Sequence, residues 1–567
     1  MILQALCDYY KRKPDLPRIG FELKAIPFVI EVNDRGQLVQ IEDTRHVEGI
    51  KKIARNFLVP QGVKKTSGIA ANFLWDTAEY VFGATRRDEP GRVRVQHHAF
   101  KRKMEELARE TGDPGLRAVL ACLRTLDMAR LEADPFWPEI LETNPILTFR
   151  LSGDRELVCQ RAPVRAAFEA ARVGNSKIIC LVSGETDGLE RLHTAIRGVW
   201  GAQTTGANIV SFNKDAFSSF GKEQGANAPI GKHAAFGYTS ALNYLLSKES
   251  KQRIQVGDAS IVFWSERPAH LEDIFADLFS EPPKDDLTRQ TRAIEALVKP
   301  SQMGALSSEE DKTRFYVLGL TPNSARLSIR FWQIGTVAEM SGQIRRHFED
   351  LSIVYSSFEK PHLSLFRLLK STAAQGESKN ILPNLGGEFM RAIFTGLPYP
   401  QTLLQAALRR IRAEGGVTYP RAALIKAYLN RHRRYSKSQE KEITVSLDES
   451  NNNPGYRIGR LFASLEKIQE EALNPGATIR DRFYGVASHT PVAVFANLMK
   501  LKNHHLAKLE DGRKRDFEKL IGQIMSGIND FPPHLSLADQ ARFAIGYYHQ
   551  RQTFSLNRNS PIHYQEE

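Results

Sequence analysis

The amino-acid sequence predicts an α+β protein: a large N-terminal mixed domain with antiparallel strands, followed by a basic helical region and a C-terminal helical bundle. Three observations carry this prediction. Several runs before about residue 342 alternate apolar and polar residues around turn signals. Beyond Gly342 the strand signals fade and helical periodicity takes over. After the loop Asp448 to Gly455, whose Asn, Pro and Gly residues cannot continue a helix, apolar stripes recur at helical spacing.

Taken in order, Phe28 to Asp43 reads as a hairpin turning at Asn33-Asp34-Arg35-Gly36. Ile146 to Gln160 reads as a second hairpin, turning at Ser152-Gly153-Asp154. Ser176 to Gly184 is expected to be a buried strand from its apolar run, and Ser260 to Glu266 another. Arg314 to Leu320 pairs with Ala325 to Trp332 around Thr321-Pro322-Asn323-Ser324. Helices are expected over Ala99–Glu110 and Gly115–Glu132, and Ser280 to Gln290 has the composition of a surface connection. In the last region Ile458, Leu461, Phe462, Leu465 and Ile468 form one stripe. Thr490-Pro491 suggests an N-cap with Pro at the first helical position. Phe517, Leu520, Ile521, Ile524 and Ile528 form a further stripe, and Ser536 with Asp539 resembles a capping box before the last helix. The expected divisions are 1–342 (with the connection near 280–290), 343–444 and 445–567.

The chain has 567 residues, too many for one core, and suggests roughly three or four domains. It is 42% hydrophobic and 25% charged, which describes an ordinary globular composition. The four cysteines (Cys7, Cys122, Cys159 and Cys180) are scattered, so a zinc ribbon or disulfide framework is not expected. The first residues turn charged too soon for a signal peptide, and no apolar run approaches a membrane span. A cytoplasmic protein is the expectation. The formal charge of +13 places polyanions, nucleic acid above all, among the candidate partners.

Motifs for chemistry are largely missing. Gly221-Lys222 is followed by Glu223 and Gly231-Lys232 by His233, so neither completes a phosphate-binding loop. No HExxH or GxSxG occurs, and the adjacent pairs His97-His98 and His504-His505 would point apart on a helix. No metal or cofactor is expected. Carboxylates are numerous enough that a scattered two-metal nuclease site stays open as the alternative.

Two polar, glycine-containing loops stand out instead. In the first, Lys64 to Gly83, Lys64 and Lys65 bring charge, Thr66 a hydroxyl, and Asn72 an amide able to inspect a base edge. An ordinary loop entering a helix fits the same residues. The second, Ile209 to Gly231, mixes Phe212, Phe217 and Phe220 with Asn213, Gln224 and Asn227. Exposed aromatics beside amides suit stacking or wedging between base pairs, although three core phenylalanines would read alike. Two basic sets follow. Arg409, Arg410, Arg412, Arg431, Arg433, Arg434 and Lys437 form one; Lys500, Lys502, Lys508, Arg513, Lys514 and Arg515 form the other. Either is a strand-guiding surface or a solvated helix face.

Six stretches, in this order, resemble one family: MILQALCDYY, SGIAANFLWDTAEYVFG, SFNKDAFSSFGKEQGANAPI, FGYTSALNYLL, FYVLGLTPNSARLSIRFW and GYRIGRLFASLEKIQEEA. The family is the large subunit of the type I-C CRISPR Cascade complex, of the Desulfovibrio subtype, and the resemblance reaches from Met1 through Leu509. It implies a non-catalytic subunit of an RNA-guided antiviral complex that recognises a protospacer-adjacent motif (PAM) on double-stranded DNA. It implies further that the chain promotes duplex opening and R-loop formation and guides the displaced strand. CRISPR RNA held by other subunits supplies sequence specificity. The implied partners are the backbone and 5′-handle-binding subunits, the small subunit, and the helicase-nuclease that cuts. On this resemblance motif reading is expected from Lys64, Lys65, Thr66 and Asn72 of the first loop and from Phe212, Asn213, Gln224 and Asn227 of the second. The C-terminal bundle resembles the family's small subunit, which such systems also translate separately. No Met lies between Met390 and Met499, so Val445 is the candidate for a non-ATG internal start.

Overall fold

The computed structural model describes residues 1–49, 51–63, 65, 68–86, 90–171, 177–283, 285–286, 288–303 and 311–556. It is a mixed α+β chain in two compact units. The first comprises Met1–Ile196 with Asn208–Tyr244, the second Arg197–Ala207 with Leu245–Glu567.

In the first unit the hairpin expected at Asn33 forms. Phe28–Val32 pairs antiparallel with Leu38–Asp43, and Gly36 takes the left-handed φ of +80° that closes the turn. Ile146–Leu151 joins this pair from the other side, running parallel to Phe28–Val32, and Trp75–Thr77 completes a four-stranded sheet. The second expected hairpin does not form. After the turn at Gly153 only the bridge Arg150–Leu157 closes, and Val158–Gln160 is a short 3-10 turn. The partner of Ile146–Leu151 is instead a strand more than 100 residues away, which no local pattern announces. Helices Pro90–Ala108 and Pro114–Arg124 contribute Phe100, Met104, Leu116 and Val119 to the core under the sheet. The helix expected to continue to Glu132 breaks after Arg124 and restarts at Met128 behind an Asp127 cap.

The run expected to be a buried strand at Ser176–Gly184 also differs. Ser176 lies outside the described residues; Lys177–Ile179 pairs only with Thr186–Gly188, and Ile179 and Leu181 are exposed. Only Cys180 and Val182 turn inward, so alternation sets the burial of this short ribbon rather than its apolar content.

In the second unit Arg253–Val256, Ala259–Ser265, Arg314–Asn323 and Arg326–Thr336 form an antiparallel meander in that order. The long pair turns at Asn323 and Ser324, as expected. Phe263, Phe275 and Phe315 pack ring against ring between this sheet and helix His270–Phe279. One apolar core then continues through helices Val337–Leu351, Leu365–Thr372, Leu385–Thr395, Gln401–Glu414 and Tyr419–Ser436 into the last five helices.

Those five are Pro454–Leu473, Ile479–Ala487, Val492–Leu506, Asp511–Met525 and Leu537–Leu556. The first is buried almost all round because it crosses the last at glycine contacts. A Cβ on Gly459 would lie 2.1 Å from the Phe543 carbonyl oxygen, and one on Gly546 would lie 2.0 Å from that of Tyr456. Asn453 caps Pro454–Leu473, and the Ser536 hydroxyl accepts the Asp539 N–H while donating to its carboxylate. The expected Thr490 cap is displaced by one residue: Pro491 holds the cap position and the Thr490 hydroxyl donates back to Val486.

Candidate nucleic-acid interface

Both loops belong to the first unit, and both are rooted on one short segment. Gln61, just ahead of the first loop, donates from Nε2 to the Thr194 hydroxyl at 2.8 Å. Asn208, just ahead of the second, donates from Nδ2 to the His193 carbonyl at 3.0 Å and toward that of Thr194 at 3.4 Å. Two segments more than 100 residues apart in sequence thus leave from the same place.

The first loop is held from within. Lys64 and Thr66, both expected to meet DNA, lie outside the described residues. Lys65 points inward: its Nζ is 2.7 and 2.8 Å from the two carboxylate oxygens of Asp76, and it sits 3.7 Å over the Tyr80 ring. Asp76 is fully buried and also accepts the backbone N–H groups of Asn72 and Thr77. Asn72 is only 5% exposed, and its Oδ1 accepts the Val63 N–H at 3.0 Å. A buried carboxylate must collect donors, and a buried amide must be paired, so these side chains are spent on the loop itself. Asn72, expected at a base edge, is seen here fastening the loop from within.

The second loop is held from its base and open at its tip. Asn227 does the holding. Its Oδ1 accepts the Ser219 N–H at 2.9 Å, while its Nδ2 donates to the Lys222 and Gln224 carbonyls, each at 3.0 Å. The Gly225 N–H donates to Arg191, at a spot where a Cβ would lie 2.6 Å from the Glu190 oxygen. At the loop's exit Asp187 accepts the His233 N–H. Burial would raise the Asp187 carboxyl, but the His233 and Gly188 N–H groups outweigh it and hold it below its ordinary value.

Residues 213–223 between these anchors are all exposed. Phe220, at the turn, is 98% exposed with φ +53°, followed by Gly221 at +69°. A phenylalanine thrown into solvent on a left-handed backbone is costly unless something else covers it. Phe217 is partly exposed, Phe212 half-buried, and Asn213 exposed. Gln224 takes a positive φ, and its buried Oε1 has no hydrogen-bond partner.

A further cationic element was not singled out in the sequence. Helix Pro90–Ala108 packs against the first loop: Lys103 donates to the Ala71 carbonyl at 2.7 Å and His97 Nδ1 lies 3.0 Å from the Tyr80 carbonyl oxygen. Burial lowers both the Lys103 ammonium and the His97 imidazole from their ordinary values. The same helix leaves Arg92, Arg94, His98 and Arg102 exposed. The signal available in the sequence was the cluster of cations between Arg86 and Lys103.

The two basic sets in the second unit divide by burial. Arg431 is 3% exposed: its guanidinium bonds Asp350 and the carbonyls of Ala392 and Leu397, and stacks over Tyr399. Arg434 shares Asp350 and Glu442, and Arg433 bonds the Glu440 carbonyl and Glu442. These three cations knit helix Tyr419–Ser436 to its neighbours, and Arg431, expected on a strand-guiding surface, sits buried within that network. Arg513 pairs with Glu471 and covers Phe517. Arg409, Arg412, Lys437, Lys500, Lys508 and Arg515 are exposed, Lys502 and Lys514 partly so, and Arg410 lies 3.8 Å from Glu414. Among the described residues no three His, Cys, Asp or Glu side chains gather as metal ligands, and no helix is long and apolar enough to cross a membrane.

The chain matches the family described as CRISPR-associated protein (Cas_Csd1) over residues 6–555. It belongs to that family, the large subunit of the type I-C Cascade complex. No curated protein matches the chain. Membership covers both units, so the paired loops and the C-terminal helices are parts of one Cascade subunit, which works beside other Cas subunits and a CRISPR RNA.

Proposed function

We propose that this Cascade subunit reads the protospacer-adjacent motif on double-stranded DNA with its first unit and begins strand separation with the tip at Phe220. The observation that carries the reading is the common root of the two loops at Thr194, with the second loop stapled by Asn227 so that Phe220 projects 98% exposed. An aromatic on a stiff support can enter a base step, where unstacking costs a few kcal/mol repaid by the contacts made. Asn213, Lys214 and Lys222, on the same exposed stretch of chain, add an amide and two cations. The basic face of helix Pro90–Ala108 supplies phosphate contacts, which position the duplex without reading it. Strand opening then hands sequence reading to guide pairing. The exposed cations Arg409, Arg412, Lys437, Lys500 and Arg515 are assigned to the displaced strand. Recruitment of the helicase-nuclease belongs to the same reading, with the chain itself non-catalytic.

The test is a gel shift of the assembled complex, with and without this chain, on matched targets carrying a correct or a scrambled motif. Loss of motif preference and of opening without the chain is expected; persistence of both would place recognition in another subunit. Metal-dependent cleavage by the purified chain would favour the nuclease alternative instead. Val445 is exposed, and its carbonyl accepts the Val354 N–H ahead of the bundle. An internal start there predicts a second, short C-terminal product in native expression, which mass spectrometry would detect.

A further inference from the structure

The second unit holds a concave basic site far along the chain from either loop. A cavity of about 760 Å3 opens between the end of helix Leu365–Thr372, the turn that follows it, and the junction of helices Gln401–Glu414 and Tyr419–Ser436. That volume lies within the range, roughly 300–1,000 Å3, of sites that take small organic ligands. Four cations line it (Arg367, Lys370, Arg410 and Arg421) against two carboxylates, Glu359 and Glu414.

The carboxylates are engaged in fixing two of those cations. Arg367 pairs with Glu359. Arg421 is 5% exposed and pairs with Glu414, while its Nε donates to the Ser371 carbonyl at 2.8 Å and its Nη1 to that of Gly416 at 3.2 Å. The other two cations are less committed. Arg410 is 3.8 Å from the nearest Glu414 oxygen, beyond hydrogen-bond reach. Lys370 is exposed and has no carboxylate partner among the described residues. The cavity wall therefore carries two positive charges beyond what its own carboxylates neutralise.

Backbone features point the same way. Helix Tyr419–Ser436, 18 residues long, begins at this wall, and its cap residue Thr418 makes no side-chain capping bond. Its first intrahelical bond is the Ala422 N–H to the Thr418 carbonyl, so the positive end of the helix dipole faces the cavity rim at Thr418, Pro420 and Arg421. Fixed guanidinium groups, an exposed ammonium, a hydroxyl not used in capping and a helix N-terminus are the groups that bind phosphate oxygens.

We propose that this cavity binds the phosphate of a nucleotide-sized phosphate ester. Lys370 and Arg410 supply the charge, Arg367 and Arg421 the rigid rim, and the remaining volume accommodates the organic part. The proposal does not depend on motif reading by the other unit. The ester is either a free mononucleotide or a phosphate of a single strand, and the two sources are separated experimentally.

Titration calorimetry on the purified full-length chain, with 5′-AMP, inorganic phosphate and adenosine as probes, tests it. AMP and phosphate should bind, with adenosine at least about tenfold weaker than AMP. The double variant Lys370→Ala/Arg410→Ala should weaken both phosphate probes by about tenfold per cation removed. Its thermal midpoint should match that of the wild type, since neither residue lies in the core. Phe220→Ala should leave AMP binding unchanged, whatever it does to DNA opening. Displacement of AMP by a short 5′-phosphorylated single-stranded deoxyoligonucleotide assigns the site to a strand phosphate; no displacement assigns it to a free nucleotide. If neither AMP nor phosphate binds at millimolar concentration, or if the double variant binds them as the wild type does, the proposal is overturned.

Discussion

The two loops of the first unit are alike in composition and opposite in construction. Both carry lysines, amides, glycines and aromatics, and both leave from the Thr194 segment. In the first, Asp76 is buried, and Lys65 and the Asn72 backbone turn inward to satisfy it. In the second no buried carboxylate draws the tip in. Asn227 pairs only with backbone at the loop's neck, and everything beyond it faces solvent. A single buried charge decides which way a polar loop points, because leaving it unpaired costs more than any exposed contact returns.

The largest effect should come from removing that charge. Asp76→Ala strands the Asn72 and Thr77 N–H groups and frees Lys65, and should destabilise the first unit by about 3 kcal/mol in urea unfolding. A loss below about 1 kcal/mol would mean that the inward fastening is not what shapes the loop.

Acid provides a contrast within the second unit. His347 and His549, in the second unit, are buried against the Tyr399 and Tyr456 hydroxyls. Burial, with Arg431 near the first and Lys426 near the second, lowers each to about 3. Both are neutral when folded and take a proton when unfolded below about pH 6.5. Their stabilisation is therefore complete above that pH and is lost as pH falls toward 3. Between pH 7 and 5 the second unit should lose about 2 kcal/mol for each histidine. His347→Gln, measured by pH-dependent unfolding, should flatten that slope; an unchanged slope would assign it to other groups.

A smaller change separates the necks of the two loops. Asn227→Ala removes three backbone partners and should loosen residues 213–223 by about 1–2 kcal/mol. Hydrogen exchange at Ser219 should quicken while the Asn72 amide stays protected. Equal quickening at both would show that the loops do not behave separately.

The smallest effect on stability, and the sharpest on function, belongs to Phe220→Ala. A side chain 98% exposed contributes to no core, so unfolding should shift by no more than about 0.5 kcal/mol. Opening of a motif-bearing duplex by the assembled complex should fall by about tenfold, the worth of one base–aromatic stack. Undiminished opening would remove the wedge from the proposed function.

Much of the fold was legible in the residues because its signals are local. The turn at Asn33 to Gly36, the strand pair around Asn323, the capping pair Ser536 and Asp539, and the stripe from Ile458 to Ile468 depend on neighbours within a few positions. The α+β class followed from such signals, and the family from the resemblance of six longer stretches; for the second loop the residues left exposed aromatics and core phenylalanines equally open. The tertiary structure decided what depends on distant partners. Ile146–Leu151 takes a parallel neighbour in place of its expected hairpin, Ile179 and Leu181 stay exposed, and Lys65, Asn72 and Arg431 turn inward. Arg431 finds Asp350 81 positions away, and a sequence cannot say which carboxylate is buried until the chain has closed around it. Period and turn chemistry are written residue by residue, whereas the orientation of a charged side chain is settled by the desolvation of the group it meets.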